Sequence, residues 1–565
     1  MLRCAGPRAA FLVIAAASVA TAQQTATLDA APVAGSPATP LFEGMDGYAR
    51  QVTTDSPQAQ AYFDQGIQFL FGFNHEQAIR SFQQAAQLDP SCAMAWWGVG
   101  YANGLHINNM EMTPEQNEQA YQAAQRALKE LDDETAAERA LVEALSERYA
   151  WPAPEDRVPL DQAYADAMEA AWHAHPDDPD IAALYAEALM DLQPWDLWTS
   201  EGAPKGRTLE IVAVLESLLR NTPRHPGGNH FYIHAIEASP WPEKGAAAAE
   251  SLVALVPGAG HLVHMPSHIY IRTGQYEAAS AANERAAAAD EKHFAVAGPP
   301  GFYGLYYMHN LHFLAYASMM EGRQAAALAA ARKLEARMPD ALLENFAPLA
   351  DGFMPTALHV MIRFGMWDEI IAEPEPPEWR LSSRAIRHYA RTVALANLGQ
   401  IDKARAELED LDDVAAQLTD EWFVGNNAAA DVVAVSRLMA EGELEYHAGN
   451  VERAFDLLRQ AVAAEELLSY DEPPGWMQPV RHALGALLMA EGRAVEAEAV
   501  YRADLAEHPN NAWSLLGLRQ SLQTQKKAKA AEAVAMEVDA AWARADVEPA
   551  ASCYCHPDAK DKSQD

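Results

Sequence analysis

The sequence predicts an all-α protein made of stacked helix-turn-helix repeats. Three observations predict it. Strand signals are scarce along the 565 residues. Alanine-rich stretches with helical periodicity fill most of the chain. Two distant segments also repeat the same spacing. "QGIQFLFGFNHEQAIRSFQQAAQLDP" places Gly66, Ala78, Phe82 and Pro90 at steps of twelve, four and eight, and "LGALLMAEGRAVEAEAVYRADLAEHP" places Gly485, Ala497, Tyr501 and Pro509 at the same steps.

The chain opens with a basic start (Arg3, Arg8), the short apolar run "AAFLVIAAASVA" and the small residues Ala20-Thr21-Ala22. This is the pattern of an export signal, with cleavage expected after Ala22. The run is too short to span a bilayer, and no later stretch is long and apolar enough. A periplasmic or secreted protein follows. Residues 23–55, whose first part is rich in Ala, Thr and Pro, read as a flexible lead-in. Half of the residues are hydrophobic, enough for a large core. The net charge of -38 argues against nucleic acid and against an anionic membrane surface.

The repeats occupy residues 56–545. Small Gly and Ala positions let two antiparallel helices approach, an aromatic fills the space between them, and proline ends the second helix. Gly442 and Ala454 mark a third copy, and Gly274, Gly322, Gly365, Gly399, Gly449 and Gly492 mark turns. The spacing resembles the tetratricopeptide repeat, which implies about nine units in a right-handed superhelix. "AVAGPPGFYG" and "SYDEPPGW" are loops inserted into it. Trp96, Trp97 and Tyr101 read as core or groove aromatics, and "HINNMEM" (His106 to Met112) as a polar break. Residues 546–565 form a tail ending in the disorder-prone "DAKDKSQD". Within the tail, Cys553, Cys555 and His556 offer either a soft-metal cluster or a small disulfide, or have no function; Cys92 reads as a buried inert thiol.

Nine of the nineteen histidines lie between His225 and His312. Their register is more informative than their number. His261, His264 and His268 precede Gly274 by thirteen, ten and six residues. His309 and His312 precede Gly322 by thirteen and ten, and His359 precedes Gly365 by six. His230, His234 and Glu237 precede Pro240, one repeat length before Gly274, by ten, six and three. Steps of three and four put these side chains on one face of the first helix of each unit. In the tetratricopeptide family that face lines the concave groove, so the resemblance implies that they point into it. Imidazoles at i and i+4 with a nearby carboxylate are metal-ligating chemistry. The expected metal set is therefore His230, His234, Glu237, His261, His264, His268, His309 and His312, with Met265, Arg272 and His359 lining the groove. That is more than one ion needs, so some residues are outer partners or there are two ions. Zinc is preferred, and copper stays open because of nearby methionines. Isolated histidines such as His388, His447 and His482 read as core residues. Pro266 either kinks a helix or begins one, leaving His261 and His264 on its lead-in.

Whole phrases ("FNHEQAIRSFQQAAQLDPSCAMAWWG", "NHFYIHAIEAS", "GHLVHMPSHIYIRTGQY", "YDEPPGW", "NNAWSLLGL") resemble a bacterial family of exported tetratricopeptide proteins over most of the mature chain. That resemblance implies fold and export and brings no reaction with it. Three functions are consistent with the residues: a scaffold that binds a protein or peptide in a metal-bearing groove, a metal-dependent hydrolytic enzyme with Glu237 as general base or ligand, and a scaffold without metal.

Overall fold

A computed structural model describes residues 39–298 and 301–557. The predicted export signal and the "DAKDKSQD" terminus lie outside the described residues. Among those described, twenty-seven α-helices and two short 3-10 helices alternate with tight turns, and the only strands are the two-residue pair Phe423–Val424 and Asn427–Ala428. The chain divides into two compact units, Met1–Ile269 with Ala282–Asn310, and Tyr270–Ala281 with Leu311–Asp565.

The repeat spacing has a direct steric basis. In the first unit, a Cβ on Gly66 would stand 2.6 Å from the Phe82 ring, and one on Gly98 would stand 2.5 Å from it. In the second unit, Tyr501 is held in the same way between Gly485 at 2.5 Å and Gly517 at 2.2 Å. Each aromatic thus fills a slot that only glycine on the preceding and following helices leaves open.

All six turn glycines named from the sequence have positive φ, from 66° at Gly365 to 87° at Gly449. After each, the next amide reaches back five residues, as in Gln400 N to Leu395 O at 2.8 Å and Arg493 N to Leu488 O at 2.9 Å. This left-handed C-terminal cap ends the first helix of a pair and turns the chain into the second.

The lead-in and the tail differ from expectation. From residue 39 the lead-in packs along the first unit. Gln68 donates to the Met45 carbonyl at 2.7 Å, and the Arg50 guanidinium bonds Asp178 at 2.9 and 3.1 Å and Asp180 at 2.6 Å. Composition suggested flexibility, but specific tethers, among them a buried arginine with two carboxylates, fix the segment. Arg50→Ala would leave Asp180, 2% exposed, without its cation. We expect a loss of about 3–5 kcal/mol, read as a lower urea midpoint. In the tail, Ser552 Oγ lies 2.7 Å from Tyr501 OH and donates to the His482 carbonyl at 2.9 Å, and Cys555, fully buried, is disulfide-bonded to Cys553. Cys92 is buried and caps a helix, and burial raises its thiol to about 11.

The interior is rich in neutral titratable groups. Burial lowers His75 and His312 to about 3 and His359 and His482 to about 4, from 6.5. Burial raises Glu443 and Glu465 from 4.5 to about 8. A histidine of this kind stabilises the fold fully above pH 6.5, and that contribution is lost as pH falls toward its folded value. An acid of this kind does so below pH 4.5 and loses the contribution as pH rises toward 8. Each group changes stability by about 1.4 kcal/mol per pH unit inside its window. The histidines are the more numerous, so the metal-free protein should be most stable near pH 6.5. Calorimetry on chelator-treated protein from pH 5 to 8 checks this, and a melting temperature still rising at pH 8 would contradict it.

Candidate metal centre

The first unit gathers eight of the predicted residues, seven of the expected ligands and Met265. Helix Pro226–Ile236 starts with Pro226 in its first turn, and the His225 side chain caps it by accepting from Gly228 N at 2.8 Å. It carries His230 and His234, with Glu237 as its C-terminal cap residue. The next histidine segment is split: Gly260–His264 is one short helix and Pro266–Arg272 another, with Met265 at the turn between them. Pro266 therefore begins a helix, where its missing N–H costs nothing. His309 lies on helix Gly304–Met320.

Two sets of three imidazoles result. His230, His234 and His261 each offer one ring nitrogen within 4.8 Å of the other two, and so do His264, His268 and His309. His230, His234, His261, His264 and His268 are all buried, none more than 4% exposed, and Met265 beside them is fully buried. The cluster is interior rather than the lining of an open groove. Only His309 is half-exposed.

The outer hydrogen bonds fix the tautomers. His230 Nδ1 lies 2.6 Å from the Phe71 carbonyl and His234 Nδ1 2.8 Å from Glu237 Oε1. His268 Nδ1 lies 2.6 Å from Glu237 Oε2. His264 Nδ1 lies 2.7 Å from Asn283 Oδ1, and the Asn283 amide donates to Ser267 Oγ at 2.7 Å, which orients its oxygen toward the imidazole. A carbonyl, a carboxylate and an amide oxygen can only accept, so His230, His234 and His264 carry a proton on Nδ1, while His268 Nδ1 faces the Glu237 carboxylate as an ion pair. Burial first, then neighbouring imidazoles, hold His230, His261 and His264 well below the usual histidine range, and burial lowers His234 against the pull of Glu237. Burial would raise Glu237, but His268 and His234 hold it low and ionised.

The Nε2 atoms of each i, i+4 pair face one another. His230 Nε2 and His234 Nε2 are 3.0 Å apart, and His264 Nε2 and His268 Nε2 are 2.8 Å apart. Nitrogens this close share a cation, either a proton in an N–H···N hydrogen bond or a metal ion. Two nitrogens on one metal, each at about 2.0–2.1 Å, are separated by roughly 2.8–3.4 Å for ligand angles of about 90–110°. His261 adds a second sign, because neither of its ring nitrogens has a hydrogen-bond partner although the residue is 1% exposed. Buried polar atoms without partners cost about 1–3 kcal/mol each. The donor sets are all imidazole, which suits zinc or copper.

The remaining predicted residues are in the second unit. His312 Nε2 is 3.2 Å from Met477 Sδ, the His359 ring packs edge-on against Trp476, and the Arg272 guanidinium lies 5.5 Å from the centre of the Tyr470 ring.

Sequence reasoning did not single out Phe73. Its φ is 54°, and Asn74 N reaches back to Phe69 O at 2.9 Å, so it occupies the left-handed turn position that glycine fills elsewhere. Its ring stacks on His106 at 4.4 Å and lies 4.5 Å from His230 and 5.7 Å from His261. The signal was present: Phe73 follows Gly66 by seven residues, as Gly449 follows Gly442 and Gly492 follows Gly485. A non-glycine residue held there costs about 1–3 kcal/mol and marks a place where side-chain packing outweighs backbone ease. Asn283, nineteen residues after His264, gave no such signal.

No described protein family matches the sequence, and no curated protein does. Among solved structures, the human IFIT1 dimer with m7Gppp-AAAA is similar at 11% identity with a TM-score of 0.33, over 84% of this chain and 94% of that one. The APC/C hetero-tetramer Cut9-Hcn1 is similar at 12% identity with a TM-score of 0.30, over 82% and 76%. Likenesses this distant carry no argument about the site.

Proposed function

We propose that this chain is a helical-repeat scaffold whose interior binds two transition-metal ions, one in each histidine triad. The observation that supports this reading is the convergence, in each set, of one ring nitrogen from each of three imidazoles, all within 4.8 Å of one another. Zinc is the preferred ion, with copper the alternative. Both Glu237 oxygens are engaged by Nδ1 atoms, one from each triad, so we assign Glu237 the role of orienting ligands rather than of general base. A scaffold role, with a protein or peptide bound in the concave groove, is what the repeat resemblance implies. The export reading rests on the basic start, the short apolar run and the Ala20-Thr21-Ala22 site of the N-terminal sequence.

A metal-dependent enzyme is the second reading. It is favoured by one observation: three imidazoles per set leave a coordination position for water or substrate. Elemental analysis of protein expressed with zinc and copper available tests the shared premise. About two ions per chain are expected, and protein holding no near-stoichiometric metal would overturn it.

A further inference from the structure

His312 and His359 line a separate small cavity within the second unit, together with Phe353, Ser382, Asp471 and Met477. Its volume of about 20 Å³ accommodates a water-sized particle or an ion and excludes an organic molecule. His312 is 6% and His359 5% exposed. Two polar atoms here have no hydrogen-bond partner, His312 Nδ1 and Ser382 Oγ.

Burial keeps both imidazoles neutral. His312 therefore has one N–H to place. On Nε2 it would point at a thioether sulfur, a weak acceptor, and leave Nδ1 bare. On Nδ1 it would lack an acceptor, and the Nε2 lone pair would face the lone pairs of Met477 Sδ at 3.2 Å. A soft cation between Nε2 and Sδ converts the second arrangement into two bonds. With metal–nitrogen and metal–sulfur bonds of about 2.0 and 2.3 Å, a 3.2 Å separation corresponds to a ligand angle of roughly 95°.

We propose that His312 and Met477 form a copper(I) site in the second unit, with His359 across the cavity as a third donor. Thioether sulfur selects copper(I) over zinc. Copper(I) is satisfied by two or three ligands, and a single positive charge is easier to bury among neutral donors than two. Asp471, also in the lining, accepts from the Asn426 and Glu472 amides on its two oxygens. This site is chemically distinct from the all-nitrogen triads and does not depend on them.

The test is anaerobic copper(I) titration of the full chain against a chromophoric copper(I) chelator, followed by X-ray absorption. A copper–sulfur shell near about 2.3 Å is expected. It should vanish in Met477→Leu, a substitution that conserves volume, and copper(I) stoichiometry should fall by one equivalent. His312→Ala should weaken that equivalent at least tenfold. His264→Ala should leave the sulfur shell in place. Absence of a sulfur shell in the parent protein, or its persistence in folded Met477→Leu, overturns the site. If the sulfur shell is present but the triads take up neither zinc nor copper, the reading of the triads fails and this one stands.

Discussion

Replacing His264 and His268 together with alanine should remove one of two bound ions and leave the other. The Nε2 atoms of these residues converge at 2.8 Å, and no single remaining imidazole of that triad can hold an ion. His309 would be left alone, and one nitrogen donor in a half-exposed position binds no better than a surface histidine. The first triad keeps His230, His234 and His261 and, through Glu237 Oε1, the proton on His234 Nδ1. The mirror change, alanine at His230 and His234, should remove the first ion and spare the second. Elemental analysis gives the count, and the rise in melting temperature on adding zinc should shrink accordingly, since each ion stabilises only the folded state that binds it. Loss of all metal from either double variant would mean that the six imidazoles serve a single site. Retention of two ions would mean that the ligands lie elsewhere.

The division into two triads was only half legible in the sequence. The i, i+4 pairs His230/His234 and His264/His268 follow from helix periodicity, and the structure places each pair's Nε2 atoms together. Which third histidine joins which pair depends on how neighbouring helices pack. His261 precedes His264 by three residues, yet its ring approaches His230 at 4.9 Å rather than completing the set beside it in sequence. Register also gives a helix face and not depth or neighbourhood. His312 shares its offset with His264, but it belongs to the second unit and faces Met477. The turn glycines were fully legible because a left-handed cap is a local demand that few other residues meet. Phe73 breaks that rule: its spacing from Gly66 marks it as a turn position, but the residue type hides the turn, and only its ring stacked against the histidines shows why glycine is replaced there. The lead-in misled for a simpler reason: composition averages over residues, and a few specific tethers anchor it, Arg50 to Asp178 and Asp180, Gln68 to the Met45 carbonyl and Thr53 to Glu138.

Glu237→Gln separates an orienting carboxylate from a ligand or a base. As a carboxylate, Glu237 accepts from His234 Nδ1 on one oxygen and pairs with His268 Nδ1 on the other, orienting one ligand in each triad. An amide has one oxygen and one NH2 group, so it can accept from only one of the two imidazoles. The other histidine then meets a donor, moves its proton to Nε2, and places an N–H where the metal should lie. One ion should therefore bind about 10–100-fold more weakly and the other nearly as before. Glu237→Ala removes both acceptors, and both ions should weaken by that factor. Titration against competing chelators of graded strength resolves two affinities and distinguishes the cases. If Glu237 were itself a ligand, Gln would lose its negative donor and the ion it held, with stoichiometry falling to one even at saturating metal. If it acted only as a base, both affinities would be unchanged. The outer-carboxylate role predicts the remaining pattern, two ions at saturation with a single weakened affinity in Gln and two weakened affinities in Ala.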